Sequence, residues 1–429
     1  MSNNEINKKI KVLAYCDSPT CATGFGTVSR NILTGLYNTG RYDIDILGIN
    51  YWGEPHDFPF RIWPTGINND RDPYGRKKSF GMIQQMDFDI AFFLQDTFIL
   101  DFLPALQRQL IEGSKKFKSI CYYPIDGIPK EQWIKNVDAC DYLVAYSEFG
   151  KRLSEEAYSV VKEPLVIPHG VSTFDYIPIS VEDCLSFKAR FFGSQANKFI
   201  FTNVNRNQQR KDIPRTIAAF KKFHDEVPDS ILYLHCAKVD QGWNLEEVVN
   251  AYGLSTSTDV IFPENFGPNQ GYPRQILNLI YNISDCVIST TLGEGFGMTW
   301  IEAMATKTPV IMPDNTAMTE FITEDRGWLV GSGSNASLYT VVPNDNEVIR
   351  PLTDVDDLVE KMFEVYNNKE EAKKRASNAY DWVTNNMDWQ KHIVPQWIKL
   401  FDEAVSAIKT RTVATTEAGG DKVLEAESF

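Results

Sequence analysis

The sequence lacks any apolar run that approaches the roughly 18 residues needed to span a bilayer, which predicts that the chain does not cross a membrane. Its 7 cysteines are scattered without a C-x-x-C pair, and this spacing indicates neither a disulfide framework nor a zinc site. The first residues, MSNNEINKKIKVLAYC, hold only a short apolar stretch, which is not typical of a secretory signal. These absences together predict a cytoplasmic protein.

Positive charge is also scarce, because 57 acidic residues outnumber 43 lysines and arginines and leave a formal net charge of −14. This excess argues against broad electrostatic attraction to nucleic acid or anionic lipid, although it allows a local basic groove. No D-x-D motif stands at a strand end in a phosphate context. The sequence therefore indicates no required metal ion or other cofactor.

The chain does have the length for two domains, since 429 residues exceed what one core comfortably holds. Residues 10–185 alternate strand-like runs with helix-like stretches, which is typical of a parallel sheet. The stretch Ile177 to Lys198 indicates a connector and a linker, after which Phe199 to Val204 restarts the same alternation. We therefore predict an α/β protein with two Rossmann-like doubly wound domains, at residues 1–185 and 190–385.

The segment Gly293 to Pro313, GEGFGMTWIEAMATKTPVIMP, places two carboxylates eight positions apart around a glycine-rich entry to a helix predicted over Met298 to Thr306. In such a parallel unit the loop lies outside the carboxyl end of the strand, where N–H groups at the helix start favour an anion. Glu294 and Glu302 can then hold different parts of one extended ligand by accepting hydrogen bonds from sugar hydroxyls. The pattern indicates a site for a phosphorylated sugar.

Glu294 and Glu302, with the intervening GFG and the following EAMA and PVI, resemble the E-x7-E signature of the retaining glycosyltransferases with the GT-B fold, often called family 4 or group 1. The resemblance implies two Rossmann-like domains that face a cleft. It also implies transfer of a sugar from a nucleotide diphosphate sugar to an acceptor, with retention at the anomeric carbon. By the same resemblance Glu294 is catalytic and Glu302 binds the ribose. The diphosphate is then contacted by Gly295, Phe296 and Gly297.

A basic run, VNRNQQRKD, follows a predicted strand of the second domain and opens the next helix. A guanidinium grips two oxygens and an ammonium supplies a compact charge, which together suit a diphosphate. In the family an arginine and a lysine at this place contact the diphosphate. The spacing here fits Arg206 and Lys211, and Arg210 is a competitor.

Three segments of the first domain resemble elements of the family. Gly24 and Gly26, in SPTCATGFG, resemble the glycine loop that approaches the donor phosphates when the domains close. The piece YYPIDG stands where members often carry a His-Asp pair, and only Asp126 is carried over, as a catalytic residue. In IPHGV, which resembles the P-N-G-V turn of the family, His169 replaces asparagine and its function stays open.

The chain is predicted to end in a long helix from about Trp389 to Lys409 with an apolar stripe. In the resembled family this helix crosses back and packs on the first domain, although the periodicity alone equally suits a cap on the second domain. Residues 410–429 lack core residues and are predicted to be a disordered acidic tail.

Other functions stay open from the sequence. A GT-B-fold epimerase or phosphorylase shares the phosphate pocket and differs in its products. A transferase acting on modified nucleic acid bases is favoured only by the basic residues in and after Tyr51 to Arg76, a stretch that equally suits a sugar-stacking loop. A non-catalytic sugar-nucleotide binder would not need the full set of two cations and two carboxylates. The donor sugar, the oligomeric state and the acceptor, whether glycan, lipid-linked glycan, protein or nucleic acid base, are not specified.

Overall fold

The first domain is built on a sheet of seven parallel strands in the order β3-β2-β1-β4-β5-β6-β7. The computed structural model describes residues 9–65, 72–112, 117–267 and 271–417. The strands are β1 (Ile10–Asp17), β2 (Tyr42–Ile49), β3 (Arg61–Pro64), β4 (Ile90–Leu94), β5 (Lys118–Tyr123), β6 (Tyr142–Ala145) and β7 (Leu165–Val166). The helices are α1 (Gly24–Asn38), α2 (Arg76–Gln85), α3 (Leu103–Glu112), α4 (Glu131–Val137) and α5 (Glu148–Ala157).

Apolar cores cover both faces of this sheet. Side chains alternate along each strand, so that Phe92 packs in one core and its neighbour Phe93 in the other. Burial on both faces explains why β4 has the continuous apolar sequence IAFFL.

The second domain repeats the plan with six parallel strands in the order β10-β9-β8-β11-β12-β13. The strands are β8 (Phe199–Val204), β9 (Ser230–His235), β10 (Val260–Ile261), β11 (Cys286–Ile288), β12 (Val310–Pro313) and β13 (Trp328–Val330), with an antiparallel hairpin of β14 (Tyr339–Val341) and β15 (Ile349–Pro351). The helices are α6 (Val181–Phe192), α7 (Ile213–Glu226), α8 (Leu245–Ala251), α9 (Arg274–Ile283), α10 (Met298–Ala305), α11 (Met318–Phe321), α12 (Val355–Asn367) and α13 (Lys369–Asn386).

The predicted connector from Ile177 to Lys198 is mostly helical, which corrects the interpretation as a linker. Helix α6 fills its middle, and the Ser180 hydroxyl caps the helix by accepting the N–H of Asp183 at 3.0 Å. Asn282 of α9 accepts the N–H of Ile179 at 2.9 Å, and this bond fixes the entry to α6. The sequence pattern did not predict this helix, because its apolar residues do not form a buried stripe and Leu185 remains 62% exposed.

The last part of the chain crosses back to the first domain, as the resemblance implies. A π-helical turn at Trp389–Ile393 leads into α14 (Val394–Glu417). The ring of Trp397 lies 5.5 Å from Phe92 and 4.6 Å from Tyr122, both in the first sheet. The helix reaches Glu417, well into the predicted tail, and residues 418–429 lie outside the described residues. Within the part of the chain that the structure describes, no helix is long and apolar enough to span a membrane.

Candidate active site

The glycine-rich loop between β11 and α10 lies against the first domain. Gly297 has φ +81° directly before α10, a left-handed conformation that favours glycine. A Cβ on Gly295 would lie 2.7 Å from the Cβ of Pro124, and one on Gly293 would lie 2.1 Å from the carbonyl oxygen of Asp126. These two glycines therefore allow the backbone of the loop to meet the end of β5 across the cleft.

Glu294, in this loop, lies between two cations of the second domain. Its carboxylate forms an ion pair with the Lys211 ammonium, and its Oε2 lies 3.4 Å from Nη1 of Arg210. The Thr291 hydroxyl donates to Oε1 at 2.9 Å, and the N–H of Glu294 donates to the Thr316 hydroxyl at 2.9 Å. Burial raises the pKa of Glu294, but the two positive charges outweigh it and lower this pKa to about 2. Glu294 is thus a fixed anion.

The two candidate arginines occupy different places. Arg210 donates to the carbonyl oxygen of Gly293, and its own carbonyl accepts the N–H of Leu292 at 2.8 Å, so the basic loop and the glycine-rich loop are joined. Arg206 instead donates from Nε to Asp240 at 2.6 Å, with 40% of its side chain exposed. The structure therefore brings Lys211 and the competitor Arg210 to Glu294, and it does not bring Arg206 there.

Glu302 lies buried in α10, facing the boundary between the domains. Its Oε2 accepts the hydroxyl of Tyr281 at 2.8 Å. Burial raises the pKa of Glu302 to about 7, although hydrogen bonds from Tyr281 and Tyr176 oppose the shift. With Thr27 and Arg274, Glu302 lines a small cavity between the domains. A hydroxyl-bearing ligand part there would contact both domains.

Asp126 follows β5 and reaches across the cleft. Its Oδ2 lies 3.3 Å from Nε of Arg210, and its Oδ1 accepts a hydrogen bond from Nη1 of Arg350 at 3.1 Å. Arg350, in β15, is 2% exposed and also donates from Nε to Asp345 at 2.7 Å. Sequence reasoning missed Arg350 because a single arginine in a hairpin carries no motif. Asp126 thus connects the two domains through two arginines.

The first-domain glycines lie in the first turn of α1. Thr23 caps this helix by accepting the N–H of Gly26 at 2.9 Å. A Cβ on Gly26 would lie 2.7 Å from the carbonyl oxygen of Cys21, whereas Gly24 faces open space. Gly26 is therefore required by local packing, and Gly24 leaves the helix N-terminus accessible to an anion.

Two aromatic residues near the site are part of the core. Phe296 is 2% exposed, and its ring lies 4.8 Å from His169, so only its backbone can face a ligand. His169 Nδ1 is hydrogen-bonded to the Tyr122 hydroxyl at 2.7 Å. Burial lowers the pKa of His169 to about 3, which keeps the ring neutral near pH 7. The geometry gives His169 a packing role at the domain boundary.

Comparisons with solved structures decide the architecture. Sucrose-phosphate synthase from Thermosynechococcus elongatus superposes with a TM-score of 0.73 at 17% identity, over 93% of this chain and 100% of that chain. HepE of Anabaena in complex with UDP-glucose gives 0.68 at 14%, over 92% and 100%. The fold is GT-B. The predicted fold class is therefore confirmed, including two facing Rossmann-like domains and the helix that crosses back.

The GT-B chain also matches a sequence family over its second domain. Residues 187–382 match the family model of glycosyl transferases, group 1, and this range includes both cations and both carboxylates of the candidate site. An uncharacterized glycosyltransferase of Methanocaldococcus jannaschii is 28% identical over 204 residues, which are 44% of this chain and 48% of that protein. The match thus spans about half the length of this relative.

Proposed function

We propose that this protein transfers a sugar from a nucleotide diphosphate sugar to an acceptor, with retention at the anomeric carbon. The observation that carries the proposal is the fixed carboxylate of Glu294 beside Lys211 and Arg210, at the start of α10 and within the cleft. The match to group 1 glycosyl transferases supports the reaction class. The HepE structures with UDP and UDP-glucose support the donor class.

In the proposed reaction the bond between the anomeric carbon and the diphosphate oxygen breaks, and its electron pair leaves with the diphosphate. The acceptor hydroxyl oxygen forms the new bond to the anomeric carbon on the same face, and its proton passes to the departing diphosphate. Lys211 and Arg210 stabilise the negative charge that develops on the leaving group. Glu294 orients the sugar hydroxyls and offsets the positive charge that develops on the sugar ring.

The remaining roles belong to the same proposal and are supported by the positions of the residues. Glu302 binds the ribose hydroxyls from the inter-domain cavity, and Asp126 acts on the acceptor side as a catalytic residue. The backbone of Gly295 to Gly297 and the accessible start of α1 at Gly24 contribute N–H groups to the diphosphate. Arg206 stays a predicted diphosphate contact, and its pairing with Asp240 makes Arg210 the better candidate.

A hydrolysis screen tests the proposal without knowledge of the acceptor, because slow donor breakdown to water needs none. The purified protein is incubated with a panel of UDP, GDP, ADP and dTDP sugars, both hexoses and pentoses, and release of free nucleoside diphosphate is measured. Release from at least one donor is expected. An epimerase would instead convert the sugar while it stays attached, and absence of release from every donor would contradict the proposal.

A further inference from the structure

Three carboxylates lie at the carboxyl ends of neighbouring strands in the first domain. Asp17 ends β1, Asp96 comes two residues after β4, and Asp126 comes three residues after β5. Because β1, β4 and β5 are adjacent parallel strands, their carboxyl ends meet at one edge of the sheet. This edge faces Arg210 of the second domain, which contacts Asp126. In the described part of the chain no such cluster has the spacing to hold a metal ion.

The three carboxylates differ in their partners. Asp17 accepts hydrogen bonds from three neutral side chains, and the shortest, from the Thr23 hydroxyl, is 2.7 Å. Asp126 is paired with two arginines. The Asp96 carboxylate accepts no hydrogen bond and forms no ion pair with any residue that the structure describes, although it is only partly exposed. A partly buried carboxylate without a donor is unfavourable, so Asp96 has capacity for a ligand.

Tyr146 is a second and independent sign of a ligand. It follows β6, next to β5 in the sheet, and is 4% exposed, yet its hydroxyl has no hydrogen-bond partner. Its ring is fixed 4.3 Å from Tyr122 and 4.2 Å from His169. Burial, and after it the nearby Tyr122 and Asp96, raise the pKa of this hydroxyl. Buried hydroxyls without partners are rare in native proteins, so a donor and an acceptor that lack partners at one sheet edge point to a bound polar group.

We propose that Asp96 and Tyr146 form the acceptor subsite, and that it takes an uncharged hydroxyl-bearing group and excludes one that carries a phosphate next to the reacting hydroxyl. This inference rests on the proposed transferase function. Carboxyl oxygens accept hydrogen bonds from hydroxyls. Burial raises the pKa of Asp96 to about 7, so above this pH Asp96 is mostly ionised and, with Asp17 and Asp126, repels a phosphate placed among them. The two arginines that face this edge are already shared, Arg210 between Asp126 and Glu294 and Arg350 between Asp126 and Asp345.

The test compares neutral acceptors with their phosphorylated counterparts. A donor found by hydrolysis is combined with a panel of hexoses, disaccharides and polyols, and each is paired with its monophosphate. The variants are Asp96→Asn and Tyr146→Phe, which keep side-chain shape. Asp43→Asn is the matched control, because Asp43 is exposed near the amino end of β2, at the opposite edge of the sheet.

Transfer to neutral members is expected to exceed transfer to their monophosphates. Asp96→Asn and Tyr146→Phe should each raise the KM for the neutral acceptor about tenfold, as expected for loss of one buried hydrogen bond to a ligand. The Asp43→Asn control should change neither this KM nor the rate of donor hydrolysis. Preference for the phosphorylated partner, no transfer to any neutral member, or an unchanged KM in both variants would overturn the inference. In each case normal donor hydrolysis would leave the proposed function standing.

Discussion

The two faces of the cleft differ in how their charges are compensated. On the second-domain face Glu294 is surrounded by Lys211, Arg210 and Thr291, so its charge is fixed and neutralised. On the first-domain face the Asp96 carboxyl accepts no hydrogen bond and forms no ion pair with the described residues, and the buried hydroxyl of Tyr146 has no hydrogen-bond partner among them. A face with preformed cations suits a ligand that carries strong negative charge. A face with unpaired carboxylate and hydroxyl groups suits a neutral ligand that supplies hydrogen bonds.

The largest effect is expected from neutralising Glu294, which would remove the fixed negative charge of the second-domain face. Glu294→Gln should lower the transfer or donor hydrolysis rate by about 100-fold or more, because it removes charge beside the developing cation. Affinity for the nucleoside diphosphate, measured by calorimetry, should be kept or increased, since Lys211 and Arg210 lose their competing anion. Near-normal turnover in a variant with unchanged unfolding would remove Glu294 from the catalytic residues.

The next largest effect distinguishes the contributions of the individual cations on the second-domain face. Lys211→Ala and Arg210→Ala should each weaken nucleoside diphosphate binding by about 1.5 to 3 kcal/mol, the usual range for a charged hydrogen bond. Arg206→Ala is the matched control on the same loop, and it should change affinity little because Asp240 already holds that guanidinium. Calorimetric titration with UDP or GDP measures all three variants. A larger loss in Arg206→Ala than in Arg210→Ala would restore the arginine that the sequence resemblance favours.

A smaller effect is expected from the pH dependence of stability that Glu302 contributes. Its pKa is raised to about 7 in the folded chain, so between its ordinary value and pH 7 the folded state binds more protons than the unfolded state. The free energy of unfolding should therefore fall as pH rises through this window, by on the order of 2 kcal/mol from Glu302 alone. Urea unfolding at pH 5 and pH 8 measures it.

Glu302→Gln is the comparison, because it keeps the shape of the side chain and removes the titrating group. The difference in unfolding free energy between the variant and the wild type should grow in favour of the variant from pH 5 to pH 8. Parallel pH profiles for the two proteins would show that Glu302 titrates near its ordinary pKa, and the assigned burial of its carboxyl would then be incorrect.

Much of the fold could be predicted because buried parallel strands are continuous apolar runs. The sequence-based bounds of β8, Phe199–Val204, agree with the structure residue for residue. Helix α6 could not be predicted in the same way, since it packs through few apolar residues and leaves Val181 77% exposed. Elements with a strong local pattern could be predicted from the sequence, whereas elements that are fixed by contacts from other segments could not.

The same distinction explains the candidate site. Glu294 and Lys211 belong to motifs with local spacing, and they meet as that spacing implies. The choice between Arg206 and Arg210 depends on a short 3₁₀ turn at Gln209–Lys211 and on the backbone bond from Leu292, which no local pattern encodes. Asp96 and Tyr146 lie at the same edge of the sheet only through the order of the strands, so no sequence motif could have linked them.

The most direct test of the central claim is the configuration of the sugar released from the donor. The donor found by hydrolysis is followed by proton NMR in the first minutes of the reaction, before the free sugar mutarotates. We predict that the first product has the anomeric configuration of the donor, because the new bond forms on the face that the diphosphate leaves. A first product of inverted configuration would contradict the retaining mechanism, and complete absence of released sugar and nucleoside diphosphate would contradict the transferase itself.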